Sequence, residues 1–182
     1  MNHADHVNLL RNGIPYPGGR WADLGAGSGA FTLALADLIE SQGEIYAVDR
    51  DGAALQRLER TVHARMPAIA LHCIVGDFAE PLPLPPLDGV LMANSLHFVQ
   101  HKEAVVRLVQ GYLKPNCRLI VVEYNTDRGN RWVPYPFSYS TWQRLATRCG
   151  FDHIELLATR PSSFLGEFYA CASWRNADTS SP

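Results

Sequence analysis

The sequence has little of what several functional classes require. Its 16 lysines and arginines are outnumbered by 18 aspartates and glutamates, which gives a formal net charge of -2. Tight, salt-driven binding to a nucleic-acid backbone needs a basic excess, and this chain has none. Its apolar runs also stay well below the ~20 residues that a membrane helix needs. We therefore expect neither nucleic acid nor a membrane as a partner.

Signals of export and of disulfide bonding are missing as well. Residues 1–11 lack the charged-then-apolar pattern of a signal peptide. The four cysteines, Cys73, Cys117, Cys149 and Cys171, are widely spaced and form no C-x-x-C pair. A secreted disulfide framework of this size would be denser. We expect four reduced thiols and a cytoplasmic protein.

Apolar segments alternate between the periods of strands and of helices over most of the chain. The length of 182 residues corresponds to about one domain, which we place at residues 1–175, followed by a disordered tail at 176–182. Continuous apolar runs such as 119–122 are typical of parallel strands that are covered on both faces. The predicted strands lie at 21–24, 45–48, 69–75, 87–93, 119–124, 154–158 and 168–174, and the predicted helices at 31–39, 54–62, 105–112 and 142–149.

Two connections depart from this alternation. Four prolines crowd residues 81–86, so a regular helix is not expected there. The last two strands are separated only by residues 160–166, and so short a connection suits an antiparallel hairpin better than a parallel crossover. Gly150 follows the last helical stripe and is a predicted helix C-cap. The pattern predicts an α/β fold with a mostly parallel sheet and one antiparallel strand at its end.

A glycine-rich segment ends the first predicted strand and opens the first predicted helix. It reads Asp23-Leu24-Gly25-Ala26-Gly27-Ser28-Gly29. Small residues let a backbone approach a ligand closely, and a helix N-terminus supplies free N–H groups. The G-x-G-x-G spacing resembles the dinucleotide fingerprint G-x-G-x-x-G, whose third glycine would fall at Ala30. Taken alone, the segment is also compatible with a tight turn.

Acidic residues stand at the ends of three consecutive predicted strands. Asp23 ends the first, Asp49 the second, and Asp77 the third, within Gly76-Asp77-Phe78. In open α/β sheets this carboxyl edge is where ligands bind. A carboxylate at Asp49 can accept hydrogen bonds from both ribose hydroxyls, and Asp77 can meet an adenine amino group while Phe78 packs on the ring. Structural alternatives are a helix N-cap at Asp49, a turn cap at Asp77 and a plain strand-end group at Asp23.

Together these segments resemble the class I S-adenosylmethionine-dependent methyltransferases, over roughly residues 12–175. The resemblance is carried by residues 21–29, by Tyr46-Ala47-Val48-Asp49, by Gly76-Asp77-Phe78, by Asn94-Ser95-Leu96-His97-Phe98 and by Leu113-Lys114-Pro115. It implies a three-layer Rossmann-like fold whose seven-stranded sheet has the order 3-2-1-4-5-7-6, with strand 7 antiparallel. The hairpin predicted from the short last connection agrees with that order independently.

The resemblance also implies a ligand and a set of residues that hold it. S-adenosyl-L-methionine is the expected cofactor, with S-adenosyl-L-homocysteine as product and no metal. In that family the first acid and the glycine loop wrap the methionine part, the second acid holds the ribose, and the Gly-Asp pair borders the adenine. The cofactor-binding residues so implied are Asp23, Gly25, Ala26, Gly27, Ser28, Asp49, Arg50, Gly76, Asp77, Phe78, Asn94 and Ser95.

An NAD-dependent enzyme is the nearest rival interpretation. Asp49 would bind a ribose in either case, so it does not discriminate between the two. The dinucleotide fingerprint requires neither the placement of Asp23 before the glycine loop nor the Gly76-Asp77-Phe78 segment. Both features therefore favour S-adenosylmethionine.

Two side chains just beyond the strand ends are candidates for a general base. Methyl transfer from a sulfonium is an in-line displacement, and a base is needed only if the acceptor must lose a proton. His97 follows the fourth predicted strand and Tyr124 ends the fifth. The alternatives are structural packing for His97 and a core-edge position for Tyr124. His97 and His101 have helical i, i+4 spacing, but Phe98 replaces the glutamate that follows the first histidine in zinc hydrolases.

The methyl acceptor has weaker signals in the sequence. Nucleic-acid amino methyltransferases of this fold usually carry (Asn/Asp)-Pro-Pro-(Tyr/Phe) where this chain reads Asn94-Ser95-Leu96-His97, which argues against base amines. Residues 125–139 form a long connection without periodicity, and such loops are often lids or binding loops. Its aromatic and arginine side chains suit a flat or anionic small molecule, but would also suit a cover for the sheet edge or a dimer contact. The predicted acceptor-binding residues are Arg131, Trp132 and Tyr135, with Tyr16 from an N-terminal segment that either folds over the cofactor or frays.

The sequence as a whole predicts an S-adenosylmethionine-dependent methyltransferase that acts on a small molecule, as a monomer or homodimer. One alternative is a cofactor-binding partner or regulatory module without turnover. Another is a methyltransferase that acts on protein or RNA.

Overall fold

Residues 1–176 are described by a computed structural model, in which seven strands form a single sheet. The predicted tail at 176–182 lies, from residue 177 on, outside the described residues. The strands are β1 (Gly19–Leu24), β2 (Gly43–Asp49), β3 (Ala70–Val75), β4 (Leu87–Ala93), β5 (Leu113–Tyr124), β6 (His153–Ser162) and β7 (Gly166–Trp174). The α-helices are α1 (His3–Leu10), α2 (Ala30–Ile39), α3 (Gly52–Arg65), α4 (Lys102–Gln110) and α5 (Tyr139–Arg148).

The order of the strands in the sheet is β3-β2-β1-β4-β5-β7-β6. The pairs among β1 to β5 are all parallel, whereas β7 runs antiparallel to both β5 and β6. The predicted fold class, including the antiparallel strand, is therefore confirmed. Because β1 to β4 are parallel, the residues that follow them meet at one edge of the sheet, which we call the carboxyl edge.

Helices cover both faces of the sheet and make three layers. Side chains alternate along β5, so that Leu119 and Val121 join one apolar core while Ile120 and Val122 join the other. The first core lies against α4 and α5, where the buried Trp142 donates its Nε1 hydrogen to Ser173 Oγ at 3.0 Å. The second lies against α1 and α2, and α3 adds a smaller cluster on the same face.

Local signals place most of the element ends. The helix α5 is followed by Gly150 at φ +89°, whose amide donates to Thr147 O at 3.0 Å, as predicted for a C-cap. Within the described residues no helix interrupts the proline-rich stretch between β3 and β4, as predicted. The strand β5 begins six residues earlier than its apolar run, at Leu113, because Leu113 pairs with Leu87 ahead of a register shift in β4.

The N-terminal helix α1 packs on α2 rather than over the carboxyl edge. His3 Nε2 lies 2.5 Å from Asp37 Oδ2, and Arg160 donates to Asp5 at 2.7 Å. These contacts fix α1 to the face of the sheet that α2 covers. Across residues 1–176 no helix has both the length and the apolar character that crossing a bilayer requires.

Candidate active site

A cavity of about 370 Å³ opens at the carboxyl edge, between the residues that follow β1, β2, β3 and β4. Most of the predicted cofactor-binding residues line it, and the others are adjacent to them in the chain. Asp23 lies beneath the glycine loop instead, with 1% of its surface exposed. The lining residues are Gly25, Gly27, Asp49, Arg50, Asp77, Phe78, Ala79, Asn94, Ser95, Phe98 and Val99.

The glycine loop reaches the cavity through left-handed backbone that only glycine adopts easily. Gly25 has φ +85° and Gly27 φ +53°. A Cβ atom on Gly25 would lie 2.4 Å from the Cβ of Ser95, whereas a Cβ on Gly27 would meet open space. The loop therefore packs tightly on Ser95 at its base and presents bare backbone to the cavity at Gly27.

Asp49 holds the glycine loop from the next strand. Its Oδ2 accepts a hydrogen bond from the Gly27 amide at 2.7 Å, and its Oδ1 accepts one from the Asp51 amide at 2.9 Å. The N-cap of α3 is Asp51, which accepts from the amides of Ala53 and Ala54. The interpretation of Asp49 as the helix N-cap is therefore wrong, and its carboxylate faces the cavity.

Asp23 is a buried acid whose partner the sequence analysis missed. Thr32 Oγ1, itself buried in α2, donates to Asp23 Oδ2 at 2.6 Å. Burial raises the pKa of Asp23 to about 7, against the lowering effect of the Thr32 hydrogen bond and with a further increase from the charge of Asp49. A polar residue between Phe31 and Leu33, in the apolar first half of the helix, was the available signal for Thr32.

Asp77 and Arg50 form an ion pair at one side of the cavity. The second carboxylate oxygen of Asp77 accepts from the Ala79 amide at 2.9 Å. Burial alone would raise the pKa of Asp77, but the Ala79 amide and the Arg50 guanidinium outweigh it and lower the pKa. The turn-capping interpretation of Asp77 thus holds for one oxygen, while the other is held by a cation.

Asn94 and Ser95 form the floor between β4 and the glycine loop. Asn94 takes φ +52°, and its buried Oδ1 atom has no hydrogen-bond partner in the described part of the chain. Ser95 Oγ donates to Leu24 O at 2.7 Å. A buried amide oxygen without a partner beside a cavity marks a position where a ligand donor would be satisfied.

His97 and Glu123 form a buried pair next to this floor. His97 Nδ1 lies 2.7 Å from Glu123 Oε2, and the His97 amide donates to Glu123 Oε1 at 3.2 Å. Their side chains are 4% and 0% exposed. His97 lies in a 3-10 helix, Leu96–Phe98, rather than in a longer helix. Glu123 was missed by the sequence analysis, although a single charge at the end of the apolar run 119–122 was a visible signal.

Phe98 and Tyr124 flank the His97 ring, and Phe164 and Phe168 pack on Tyr124. The Tyr124 ring lies 6.5 Å from His97 and 4.2 Å from Phe168, between ring centroids. Phe98 lies 4.3 Å from His97, and Phe164, in the turn between β6 and β7, lies 5.9 Å from Tyr124. Phe98 was not predicted as a site residue, although it directly follows His97, just beyond the end of the fourth predicted strand. Phe164 was not predicted either, because nothing in its local sequence indicates which edge of the sheet it occupies.

The loop at 125–139 is held to the His97 segment. The Tyr135 amide donates to His97 O at 3.0 Å. Asn130 Oδ1 accepts from the Trp132 amide at 2.8 Å and fixes the loop internally. The Arg131 guanidinium lies 5.8 Å from the Trp132 ring, which is 68% exposed. The structure thus brings Tyr135 to the site, and leaves Arg131 and Trp132 on the outer surface of the loop.

Tyr16 lies at the opposite edge of the sheet. It lines a second cavity of about 320 Å³, with residues at the beginnings of β1, β4 and β5. The packing of α1 on α2 directs the following segment to this amino edge. The structure therefore does not bring Tyr16 together with the other predicted site residues.

The thiols and other metal-ligating side chains show no further site in the described residues. All four cysteines are free. In residues 1–176, no group of three or more histidine, cysteine, aspartate or glutamate side chains is arranged to hold a metal ion.

Comparison with known sequences gives a family and a set of partial relatives. A family model described as "Methyltransferase domain" matches residues 17–154. The ubiquinone/menaquinone biosynthesis C-methyltransferase UbiE of Ectopseudomonas mendocina is 32% identical over 111 residues, which cover 60% of this chain and 43% of that protein. The UbiE of Azotobacter vinelandii is 30% identical over 128 residues, which cover 67% of this chain and 50% of that protein. The chain spans about half the length of the curated relatives it matches.

Solved structures with the same fold extend over nearly the whole chain. An arsenic(III) S-adenosylmethionine methyltransferase from Chlamydomonas reinhardtii superposes with a TM-score of 0.74 at 18% identity, covering 94% of this chain and 67% of that one. An S-adenosylmethionine-dependent methyltransferase from Aquifex aeolicus gives a TM-score of 0.67 at 16% identity, covering 93% and 86%. The YcgJ protein from Bacillus subtilis superposes with a TM-score of 0.75 at 13% sequence identity, and the match covers 96% of this chain and 100% of that one. At these identities the likeness shows the fold alone.

Proposed function

The chain belongs to the class I S-adenosylmethionine-dependent methyltransferases, and from that premise we propose that residues 1–175 act as one domain that methylates a small molecule. The cavity at the carboxyl edge would hold the methyl donor. The acceptor would enter from the side of His97 and Tyr124. The His97–Glu123 pair beside a cavity of about 370 Å³ is the observation that supports this assignment most.

The residues around the cavity fit S-adenosylmethionine. Asp49 offers a carboxylate for the ribose hydroxyls, beside bare backbone at Gly27. Asp77 and Phe78 suit the adenine amino group and ring. The unpartnered Asn94 Oδ1 suits a donor such as the ammonium of the methionine part. The cavity volume of about 370 Å³ is within the range of small-ligand pockets.

Catalysis in this arrangement is mainly alignment and exclusion of water. The bound donor supplies a methyl group that its sulfonium already activates. The chain's own residues must hold the acceptor in line with that group, an orientation effect of up to about 7–11 kcal/mol in favourable cases. The loop at 125–139, fixed to His97 by Tyr135, narrows the acceptor side.

A small acceptor is supported by charge and by space. The formal net charge is -2, and the hydrogen bond from the Tyr135 amide to His97 O holds the loop at 125–139 beside the acceptor side. The relatives are C-methyltransferases of ubiquinone and menaquinone biosynthesis, which is consistent with a small organic acceptor.

Asp49→Ala is expected to weaken S-adenosylmethionine binding by about 1–3 kcal/mol, because it removes a charged acceptor of hydrogen bonds. Calorimetric titration of the folded variant measures this change. Asp51→Ala is the matched control: it removes the N-cap of α3 two residues away, and costs about 1 kcal/mol of unfolding free energy without changing affinity. Unchanged affinity in folded Asp49→Ala would contradict the ribose assignment.

The function itself is tested by transfer of labelled methyl groups from S-adenosylmethionine into a metabolite extract, with protein and RNA fractions alongside. Label in a low-molecular-weight product, reduced with Asp49→Ala when S-adenosylmethionine is not saturating, is the expected result. Label confined to protein or RNA would overturn the small-molecule acceptor. Saturable binding of S-adenosylmethionine without transfer in any fraction would favour a binding module over an enzyme.

A further inference from the structure

An aromatic wall stands beside the cavity at the carboxyl edge, and we define it as Phe98, Tyr124 and Phe164. Phe98 and Phe164 are 61% and 51% exposed, although both are large apolar side chains. The two rings are linked by a chain of ring contacts. The ring centroids lie 4.3 Å apart for Phe98 and His97, 6.5 Å for His97 and Tyr124, and 5.9 Å for Tyr124 and Phe164. Clustered, exposed apolar side chains next to a polar site mark a ligand surface. Flat apolar faces of this kind suit a planar ligand.

The charges around the wall favour a neutral ligand. The wall itself contains no cation, and three cations near it in the described part of the chain, Lys102, Arg160 and Arg50, each hold a partner. Arg50 lines the same cavity as Phe98 and pairs with Asp77. Lys102 Nζ donates to Val99 O at 2.7 Å and lies 5.0 Å from the Phe137 ring centroid. Arg160, on β6, donates to Asp5 at 2.7 Å. Since each of these cations already holds a partner, a neutral ligand is favoured over an anionic one.

The His97–Glu123 pair gives the wall a specific chemistry. A fully buried carboxylate is costly unless its oxygens are hydrogen bonded, and His97 engages both oxygens of Glu123. With Glu123 as the acceptor, the contact at Nδ1 favours the tautomer that carries its hydrogen on that nitrogen, which leaves the lone pair on Nε2. Among the described residues Nε2 has no hydrogen-bond partner. The ring is therefore oriented as a base whose acceptor atom is Nε2.

We propose that the methyl acceptor is a neutral, planar molecule with a phenol-type hydroxyl, held against Phe98, Tyr124 and Phe164, with His97 as its base and Glu123 as a positioning residue. The proposal rests on the methyltransferase function proposed above. His97 Nε2 takes the hydroxyl proton, and the resulting oxyanion forms a bond to the methyl carbon. The carbon–sulfur bond breaks with its electron pair remaining on sulfur, and His97 then releases the proton to solvent.

The acceptor class is tested with three ring compounds of matched shape: 4-methylphenol, 4-methylaniline and 4-methylbenzoate. Transfer from labelled S-adenosylmethionine to the phenol, at a rate well above that for the other two, is expected. Phe164→Ala should raise KM for the phenol about tenfold and leave kcat within about twofold, since it removes part of a binding face. Leu156→Ala, which removes an exposed apolar side chain of the neighbouring strand β6, is the control and should change neither.

The roles of His97 and Glu123 are tested with phenols of different acidity. His97→Ala and Glu123→Gln should each lower kcat about a hundredfold with 4-methylphenol, the lower range of general-base effects. The loss should shrink to a few fold with 4-nitrophenol under mildly alkaline conditions, because that hydroxyl is already ionised. A purely structural role would give the same loss with both phenols. Thermal unfolding of each variant identifies any that fail to fold, and Phe164→Ala, at the surface, remains informative in that case.

The outcomes separate this inference from the function on which it rests. Label in the metabolite extract without transfer to 4-methylphenol would overturn the phenol-type acceptor and leave the methyltransferase function intact. A preference for the aniline or the benzoate would do the same. No label in any acceptor would overturn both proposals.

Discussion

Gly25→Ala is expected to destabilise the fold and to abolish S-adenosylmethionine binding together. Alanine at φ +85° costs about 1–2 kcal/mol in backbone conformation. Its Cβ would also lie 2.4 Å from Ser95 Cβ, which is not the flexible end of a side chain. Forcing Ser95 away costs about another 1–3 kcal/mol and strains its hydrogen bond to Leu24 O. Denaturant unfolding and calorimetric titration measure the two losses.

Gly27→Ala is the matched variant two residues along the same loop. Its added Cβ meets open space, so there is no steric overlap with a neighbouring side chain. Only the conformational free energy of placing alanine at φ +53° remains. We expect a smaller loss of unfolding free energy, with binding of S-adenosylmethionine still impaired because the methyl group projects into the cavity. Equal destabilisation by the two variants would contradict the tight packing of Gly25 on Ser95.

Asp23→Asn is expected to make the protein more stable above neutral pH and to flatten its stability profile. Burial raises the pKa of Asp23 from 3.8 to about 7. Between those values the folded chain binds a proton that the unfolded chain has lost, so the unfolding free energy falls as the pH rises from about 4 to about 7. The difference of about three pKa units corresponds to about 4 kcal/mol. Asparagine carries no such charge and keeps an oxygen to accept from Thr32.

Urea unfolding between about pH 4 and pH 8 measures this profile. Thr32→Val provides a change of opposite sign. It removes the hydrogen bond that favours the ionised form of Asp23, so the pKa should rise further and the loss of stability should continue to higher pH. The same pH slope in Asp23→Asn as in the parent would show that another group causes it.

The sequence predicts well what depends on neighbouring residues. Continuous apolar runs locate the strands, and Asp49 and Asp77 follow from the rule that parallel strands end at one edge. Phe164 was missed because its position depends on strand pairing: the antiparallel register of β5 and β7 brings the β6–β7 turn next to Tyr124. Glu123 carried a signal in the sequence, but its partner His97 follows a different strand, β4. Tyr16 was predicted at the wrong edge because the path of residues 11–18 is set by how α1 packs on α2. That packing contact cannot be predicted from the residues that neighbour Tyr16 in the sequence.

The antiparallel direction of β7 determines which loops of this fold can vary in sequence and length without disturbing the cavity. Because β7 runs against β5, the β6–β7 turn at 163–165 returns to the carboxyl edge, whereas a parallel crossover would carry the chain away from it. That turn contributes Phe164 without being part of the glycine loop or of any strand that holds Asp49. Its length and composition can therefore vary while the donor site keeps its geometry. With Phe164 against the acceptor as proposed above, substitutions within residues 163–165 would change the acceptor preference.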